Sequence, residues 1–420
     1  MCSSESSPLS SAFQVGFLRL LGLPTLDDFL DNSWERRPRL MAATIKESVA
    51  DILTVDHFEL LMAGGSSGDK SLSVVEDGIA RPVVFGDNHS SRLPSIYAAY
   101  GRGCTLLLSS LELRWPSIAR ICRDVENQML CHGFPLAERV GANAYLTPAG
   151  AKGFNTHYDN HCAIIIQLHG SKSWNIFPPL SDMPLARCER PIRLEDLEPP
   201  LIVTELMAGD VLYIPRGFPH CASTGNDSSL HITLSIRAVT WVGVIQTFCQ
   251  SDSAFRRSVR ASSWSGTSSS IQEHFLRDLL PRLGSVDVDL IADRLITEGL
   301  SMQLPIAGGG LRSIEASKTF TEDTQLIRTQ QVRCTATIEE NEAVLRFPGA
   351  SLRLPIAMTP VFQFIATHEE FTPNMLPGID QEYDRLHLTH ILTERGLLQV
   401  KGESKPCTRL EAIATMAEAM

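Results

Sequence analysis

The segment Leu230-His231-Ile232-Thr233-Leu234-Ser235 alternates apolar and polar residues with a period of two, so it reads as a strand with His231, Thr233 and Ser235 on one face. Ala163 to Leu168 is a nearly unbroken apolar run and reads as a strand buried on both faces. Strands are expected to dominate residues 140–240. Upstream, the apolar spacing predicts helix over 42–62 and mainly helix over 93–130. Beyond Thr240 it predicts helix over 242–259, a polar loop over 262–270, and helices over 271–283 and 286–301. The last third alternates as strands at 331–338, 343–347 and 351–356, with a turn at 339–342, then turns helical at 359–368 and 380–394 before Gly396 and a short strand.

Composition narrows the function classes. The 420 residues are 43% hydrophobic, enough for two or three domains. No apolar run approaches the roughly 18 residues that span a bilayer, so no membrane partner is expected. The start, Met1 to Ser7, is polar and holds Glu5, unlike a secretory signal. The cysteines are scattered singly without a Cys-x-x-Cys, which points away from zinc and disulfide frameworks toward reduced thiols. A cytoplasmic location is therefore expected, or a nuclear or nucleolar one in a eukaryote. A net charge of −11 argues against direct nucleic-acid binding and suits a basic polypeptide partner. In 380–394, Asp380, Glu382, Asp384 and Glu394 interrupt the basic surface that a DNA-reading helix needs, so this end reads as a protein-interaction or scaffold module.

The candidate chemistry lies in His157, Asp159 and His220. Two apart on a strand, His157 and Asp159 would project from one face. The third group comes from the stretch Gly209 to His220, where a Gly-Asp turn, a short apolar strand and a Pro/Gly turn deliver a histidine. Two imidazoles and one carboxylate on one face of an octahedral ion leave three positions open, the arrangement of non-haem Fe(II) oxygenases. The chain holds its own controls: His57-Phe58-Glu59 and His368-Glu369-Glu370 have the same spacing but no partner turn, and both are expected to be structural.

Several stretches together resemble the JmjC/cupin-type 2-oxoglutarate oxygenases, in particular the ribosomal-oxygenase branch and its bacterial cupin-like relatives. Asn143-Ala144-Tyr145-Leu146-Thr147-Pro148 is similar to the family's substrate-side strand, and Gly153-Phe154-Asn155-Thr156-His157-Tyr158-Asp159 to its iron strand. Gln167-Leu168-His169-Gly170-Ser171-Lys172-Ser173-Trp174 resembles a Gln-Leu-x-Gly-x-Lys-x-Trp pattern. Phe29 to Pro38, with Trp34, resembles the family's segment preceding the core. The resemblance is strong over 26–245 and weak beyond.

It implies a mixed α+β fold: a double-stranded β-helix (jelly roll, cupin) core with N-terminal helices, a helical middle segment and a C-terminal winged-helix-like domain. The domains expected are an N-terminal segment 1–25, a JmjC/cupin oxygenase domain 26–245, a helical segment 246–310 that resembles the family's dimerisation segment and makes a homodimer a candidate, and a winged-helix-like domain 311–420. It further implies that His157, Asp159 and His220 hold Fe(II). Lys172 would pair with the distal carboxylate of 2-oxoglutarate, and O2 is the other co-substrate. Asn143, Tyr145, Thr233 and Ser235 would face the co-substrate from inside a barrel.

One departure stands out. Ribosomal oxygenases commonly carry a second acid after the iron-binding Asp, whereas this chain has Asn160 and His161, more like the bacterial relatives. The expected function is hydroxylation of a protein or peptide side chain, with Arg or His of a ribosomal protein as leading targets. The alternatives are a peptide or natural-product hydroxylase, a lysine demethylase, and a noncatalytic metal-binding cupin or interaction scaffold.

Overall fold

The computed structural model describes residues 15–64, 71–83, 92–186, 192–258, 275–305, 310–329 and 331–401. The chain divides into two compact units, Met1–Gln128 with Arg139–Arg237, and Met129–Glu138 with Ala238–Met420.

In the first unit eleven strands form two antiparallel sheets. The larger runs β1 (Arg39–Met41), β9 (Val211–Ile214), β6 (Cys162–His169), β11 (Ser229–Ile236), β5 (Gly141–Thr147), β4 (Thr105–Leu108), β2 (Leu72–Glu76) and β3 (Ile79–Pro82). The smaller runs β10 (His220–Ser223), β7 (Ser171–Ile176) and β8 (Ile202–Met207). Ala163, Ile165, Leu212 and Ile214 of the larger sheet pack with Trp174, Ile176 and Leu206 of the smaller one in a shared apolar core. This is the jelly-roll arrangement expected. The closed barrel is not: among the described residues no strand of one sheet pairs with a strand of the other. The inside is therefore the gap between two open, facing sheets.

The strands read from the alternating and apolar segments are β11 and β6, which pair along their length with a register shift between Leu230 and His231. The helical reading of 93–130 needs correction. Helices Arg92–Gly101 and Pro116–Cys131 are present, but β4 lies between them, paired to both β2 and β5. A four-residue strand with three leucines is too short for periodicity to distinguish strand from helix, and neighbours on both edges decide it. Over 42–62 the helix is broken into a 3-10 turn, Val49–Ile52 and Val55–Ala63. Thr54 interrupts it as an N-cap, accepting from the His57 N–H at 3.2 Å while His57 Nδ1 accepts from the Thr54 N–H at 3.3 Å. The first control histidine is thus a capping residue.

The segment before the core docks through aromatic packing. Trp34 stacks on Tyr213 of β9 at 5.9 Å, and the Tyr213 hydroxyl accepts from the Glu35 N–H at 2.8 Å.

The second unit contains helices Trp241–Ser251 and Val288–Met302, near the expected positions; the expected loop at 262–270 lies outside the described residues. Its strands form two three-stranded antiparallel sheets. One is β13 (Thr335–Glu339), β14 (Glu342–Phe347) and β15 (Ala350–Pro355); the other is β16 (Glu370–Phe371), β12 (Leu326–Arg328) and β17 (Leu398–Val400). Glu340 and Asn341 take positive φ at the β13–β14 turn, as a tight hairpin requires. Helix Glu382–Glu394, Gly396 at φ 80° and β17 reproduce the helix-then-strand ending. His368, the second control, caps helix Thr359–Thr367 and stacks on Phe364 at 3.9 Å. No helix among the described residues is long and apolar enough to cross a membrane, and the described cysteines are free thiols.

Candidate active site

The gap between the sheets opens as a cavity of about 910 Å³. The period-two pattern of the strands places its walls. Asn143 and Tyr145 come from β5, His231, Thr233 and Ser235 from β11, Ala163 and Ile165 from β6, and Lys172 and Trp174 from β7, each set on the inward face.

His157, Asp159 and His220 meet at this cavity, with one donor atom from each lying within 4.8 Å of the others. It is the one such group among the described residues. His157 and Asp159 do not stand on a regular strand as expected. They belong to a loop whose backbone makes two isolated bridges to β10, Lys152 to Ser223 and His157 to His220, with the His220 N–H donating to the His157 carbonyl at 2.8 Å. The turn before His220 closes on this stretch through the Gly217 N–H to Asp159 carbonyl bond at 2.8 Å.

Both imidazoles are locked in the same way. His157 Nδ1 lies 2.7 Å from the Asn155 carbonyl and His220 Nδ1 lies 3.0 Å from the Phe218 carbonyl. A carbonyl can only accept, so each Nδ1 carries the proton and each Nε2 presents a lone pair. His220 Nε2 is 3.9 Å from Asp159 Oδ2. Burial and the neighbouring His157 push His220 down to about 4, keeping it a neutral ligand. Burial pushes the Asp159 carboxyl upward, but His161, His220, His157 and Arg237 outweigh it and hold the group below its ordinary value. Two imidazoles with backbone-fixed tautomers and an ionised carboxylate are what a divalent transition metal needs from its ligands.

Lys172 lies deep in the cavity, only 2% exposed. Its ammonium donates to Thr147 Oγ1 at 2.9 Å, and Thr147 also accepts from Thr105 Oγ1 at 3.0 Å. No carboxylate pairs with it among the described residues. Burial alone pushes it down to about 7. A cation desolvated without a counter-ion is costly unless an anion completes the site.

The other expected residues divide. Asn143 lines the cavity, and its Oδ1 accepts from the Ser110 N–H at 3.3 Å. Tyr145 stacks on His231 at 4.8 Å, its phenol held protonated chiefly by burial. Thr233, opposite Asn143 in register, and Ser235 also line the cavity, and Ser235 Oγ donates to its neighbour's backbone, the Gly141 carbonyl, at 3.4 Å. His161 sits beside the metal-ligand group, with Nε2 3.9 Å from Asp159 Oδ1. Asn160 accepts from Arg237 at 3.1 Å and donates to the Leu185 carbonyl at 3.1 Å, a donation an acidic residue could not make.

Sequence reasoning missed the hairpin β2–β3, whose Gly78, Ile79 and Ala80 form part of the wall. Asn155 clamps its tip: its Nδ2 donates to the Asp77 carbonyl at 3.0 Å and its backbone N–H to the Gly78 carbonyl at 3.4 Å. The signal was available in Val74-Val75-Glu76-Asp77-Gly78-Ile79, a strand ending in an Asp-Gly turn.

Residues 118–244 match the family model described as JmjC domain. This chain carries a JmjC domain. All eight residues expected at the site fall within it. Among curated proteins, the chain is similar to the "Bifunctional lysine-specific demethylase and histidyl-hydroxylase NO66" of Drosophila pseudoobscura pseudoobscura, 29% identical over 221 residues, 52% of this chain and 22% of that protein. The protein of the same name from Drosophila mojavensis is 38% identical over 146 residues, 34% of this chain and 16% of that protein. The chain spans between 16% and 35% of the length of the curated relatives it matches. Among solved structures, Escherichia coli ycfD has the same fold, with a TM-score of 0.55 at 18% identity, covering 88% of this chain and 96% of that one. A second structure of that protein, described as a ribosomal oxygenase in complex with cobalt and 2-oxoglutarate, gives a TM-score of 0.54 at 18% identity and covers 89% of this chain and 98% of that one.

Proposed function

We propose that this chain is an Fe(II)- and 2-oxoglutarate-dependent oxygenase that hydroxylates a side chain of a protein. One observation carries the reading: a three-residue metal-ligand group and a buried lysine without a counter-ion share one cavity. His157 and His220 would hold iron through Nε2 and Asp159 through a carboxylate oxygen. When bound, iron supplies the redox steps that couple decarboxylation of 2-oxoglutarate to insertion of one oxygen atom of O2 into a C–H bond, leaving succinate and CO2. The chain's own residues do the rest. Lys172 binds the distal carboxylate as a fixed cation, and the facing sheets exclude water from the reacting atoms. Asn143 and Tyr145 orient the co-substrate from β5, with Thr233 and Ser235 on the neighbouring strand.

The walls also bear on the substrate. Among the described lining residues Asp159 is the sole carboxylate, and it faces the metal. A guanidinium or methylammonium entering here would be desolvated without a partner, whereas a neutral imidazole can be received by hydroxyl, amide and imidazole groups. This favours histidine of a basic protein, such as a ribosomal protein, over arginine hydroxylation and lysine demethylation. The names of the relatives support a protein substrate, and the ycfD complex supports a metal with 2-oxoglutarate.

The test is incubation of the purified chain with Fe(II), 2-oxoglutarate and ribosomal proteins, read by succinate formation and by mass spectrometry for a gain of one oxygen. Formaldehyde release would mark demethylation instead. No succinate above the metal-free control overturns the enzyme reading and leaves a metal-binding scaffold.

A further inference from the structure

The deep end of the cavity holds donors that have no anion to meet. Lys172 reaches only a threonine hydroxyl. Near it His231 rises from β11, 3% exposed, its ring parallel to Tyr145 at 4.8 Å and edge-on to Trp174 at 5.6 Å. Neither ring nitrogen makes a hydrogen bond among the described residues; Nδ1 is enclosed without a partner, and the ring borders the cavity. Leaving a buried polar group unbonded is costly, so such a group in a cavity wall calls for a ligand. Protonation offers no relief, because burial and the charge of Lys172 hold this imidazole well below its ordinary value. It is therefore a neutral ring with one N–H to give, beside an ammonium.

We infer that His231 is a second binding residue for the anion at Lys172, so that one carboxylate oxygen meets the ammonium and the other the imidazole N–H. The inference rests on the reading of this cavity as a 2-oxoglutarate site and adds to it a residue selecting co-substrates with a distal carboxylate. Tyr145 and Trp174 fix the ring plane from its face and edge, which removes the rotational freedom that would weaken such a grip. A rival partner exists within the sheet. Gln167 is the cross-strand neighbour of His231; its Nε2 donates to the His169 carbonyl and Ser229 Oγ, each at 2.8 Å, while its Oε1 is unpartnered. An N–H given to Gln167 would turn a lone pair, not a donor, toward the cavity.

The experiment is calorimetric titration of the Mn(II)-loaded full chain with 2-oxoglutarate, succinate and pyruvate, the last lacking a distal carboxylate. His231→Phe keeps a ring between Tyr145 and Trp174 but has no N–H. It should bind 2-oxoglutarate and succinate on the order of tenfold more weakly, as loss of one charge-assisted hydrogen bond dictates, with pyruvate and Mn(II) affinities unchanged. His231→Asn, which restores a donor, should recover part of the loss, and it carries the test if His231→Phe does not melt cooperatively. Wild-type affinity for 2-oxoglutarate in both His231 variants, with Lys172→Ala still weakened, overturns the assignment and gives the proton to Gln167. An equal loss for pyruvate also overturns it, as general damage to the cavity. Wild-type affinity in Lys172→Ala as well would overturn the 2-oxoglutarate reading itself.

Discussion

His157 and His220 are joined by a reciprocal pair of backbone hydrogen bonds, from the His157 N–H to the His220 carbonyl at 3.3 Å and back at 2.8 Å. The bridge sets their ring centroids 4.5 Å apart without using either side chain. Replacing the His157 ring should therefore leave the backbone in place. His157→Ala is expected to lose stoichiometric Fe(II) or Co(II) binding while the metal-free chain keeps its stability within about 1 kcal/mol. Metal content after gel filtration and a denaturant melt measure both. Retained metal with full 2-oxoglutarate turnover would refute the ligand assignment. For the wild type, chelation should lower the melting temperature, since the ion binds only the folded chain.

The hairpin clamp gives a second expectation. Gly78 has φ 77°, and a Cβ there would lie 2.3 Å from Asn155 Cγ. Gly78→Ala combines a left-handed backbone cost of about 1–2 kcal/mol with displacement of Asn155, whose carbonyl holds His157 Nδ1. Stability should fall by at least that much, and metal affinity should weaken with it. Asn155→Ala, which removes only the side-chain clamp and keeps the carbonyl, should weaken metal less than Gly78→Ala. Unchanged metal affinity in Gly78→Ala would uncouple the hairpin from the site.

Much of this site was legible because strand periodicity fixes faces. Leu230 to Ser235 announced one polar face, which the resemblance turned inward, and β11 supplies it; Lys172 and Trp174 were legible from the resemblance. What was not legible depends on partners distant in sequence. The strand β4 exists because β2 and β5 flank it. The ligand loop stays irregular because its backbone is tied at scattered points, to His220 and Ala222 of β10, to Gly217 and to Gly78, rather than in a continuous ladder. His231 showed its face but not its missing partner, since an unbonded nitrogen is visible only once the rings around it are placed.

The capping box provides a control on the other histidine triplet. Thr54→Ala should cost about 1 kcal/mol through the lost N-cap, and His57→Ala less, with metal content unchanged in both. Loss of metal in either variant would show that spacing alone had misassigned the site.

Lys172 sets stability against function, and pH separates the two. Its folded-state value is pushed down to about 7 from an ordinary 10.5 by burial. Between these values the unfolded chain binds the extra proton, so this group makes stability rise with pH from about 7 to 10.5 and hold its full penalty below 7. Binding of 2-oxoglutarate runs the other way. The anion needs the ammonium, so affinity should be greatest below about pH 7 and fall by up to about tenfold per pH unit above it, until the higher value of the complexed lysine is reached. Lys172→Met, of similar volume but without charge, should stabilise the ligand-free chain at pH 6 by about 1–3 kcal/mol while flattening both pH dependences. Lys172→Ala should weaken 2-oxoglutarate by about 2 kcal/mol or more, and Lys172→Arg should recover only part, since a planar fork replaces a compact charge. Melts and 2-oxoglutarate titrations from pH 6 to 9 on wild type and Lys172→Met give the comparison. A variant that is destabilised at pH 6, or that keeps pH-dependent affinity, would show that the buried ammonium is not the group in control.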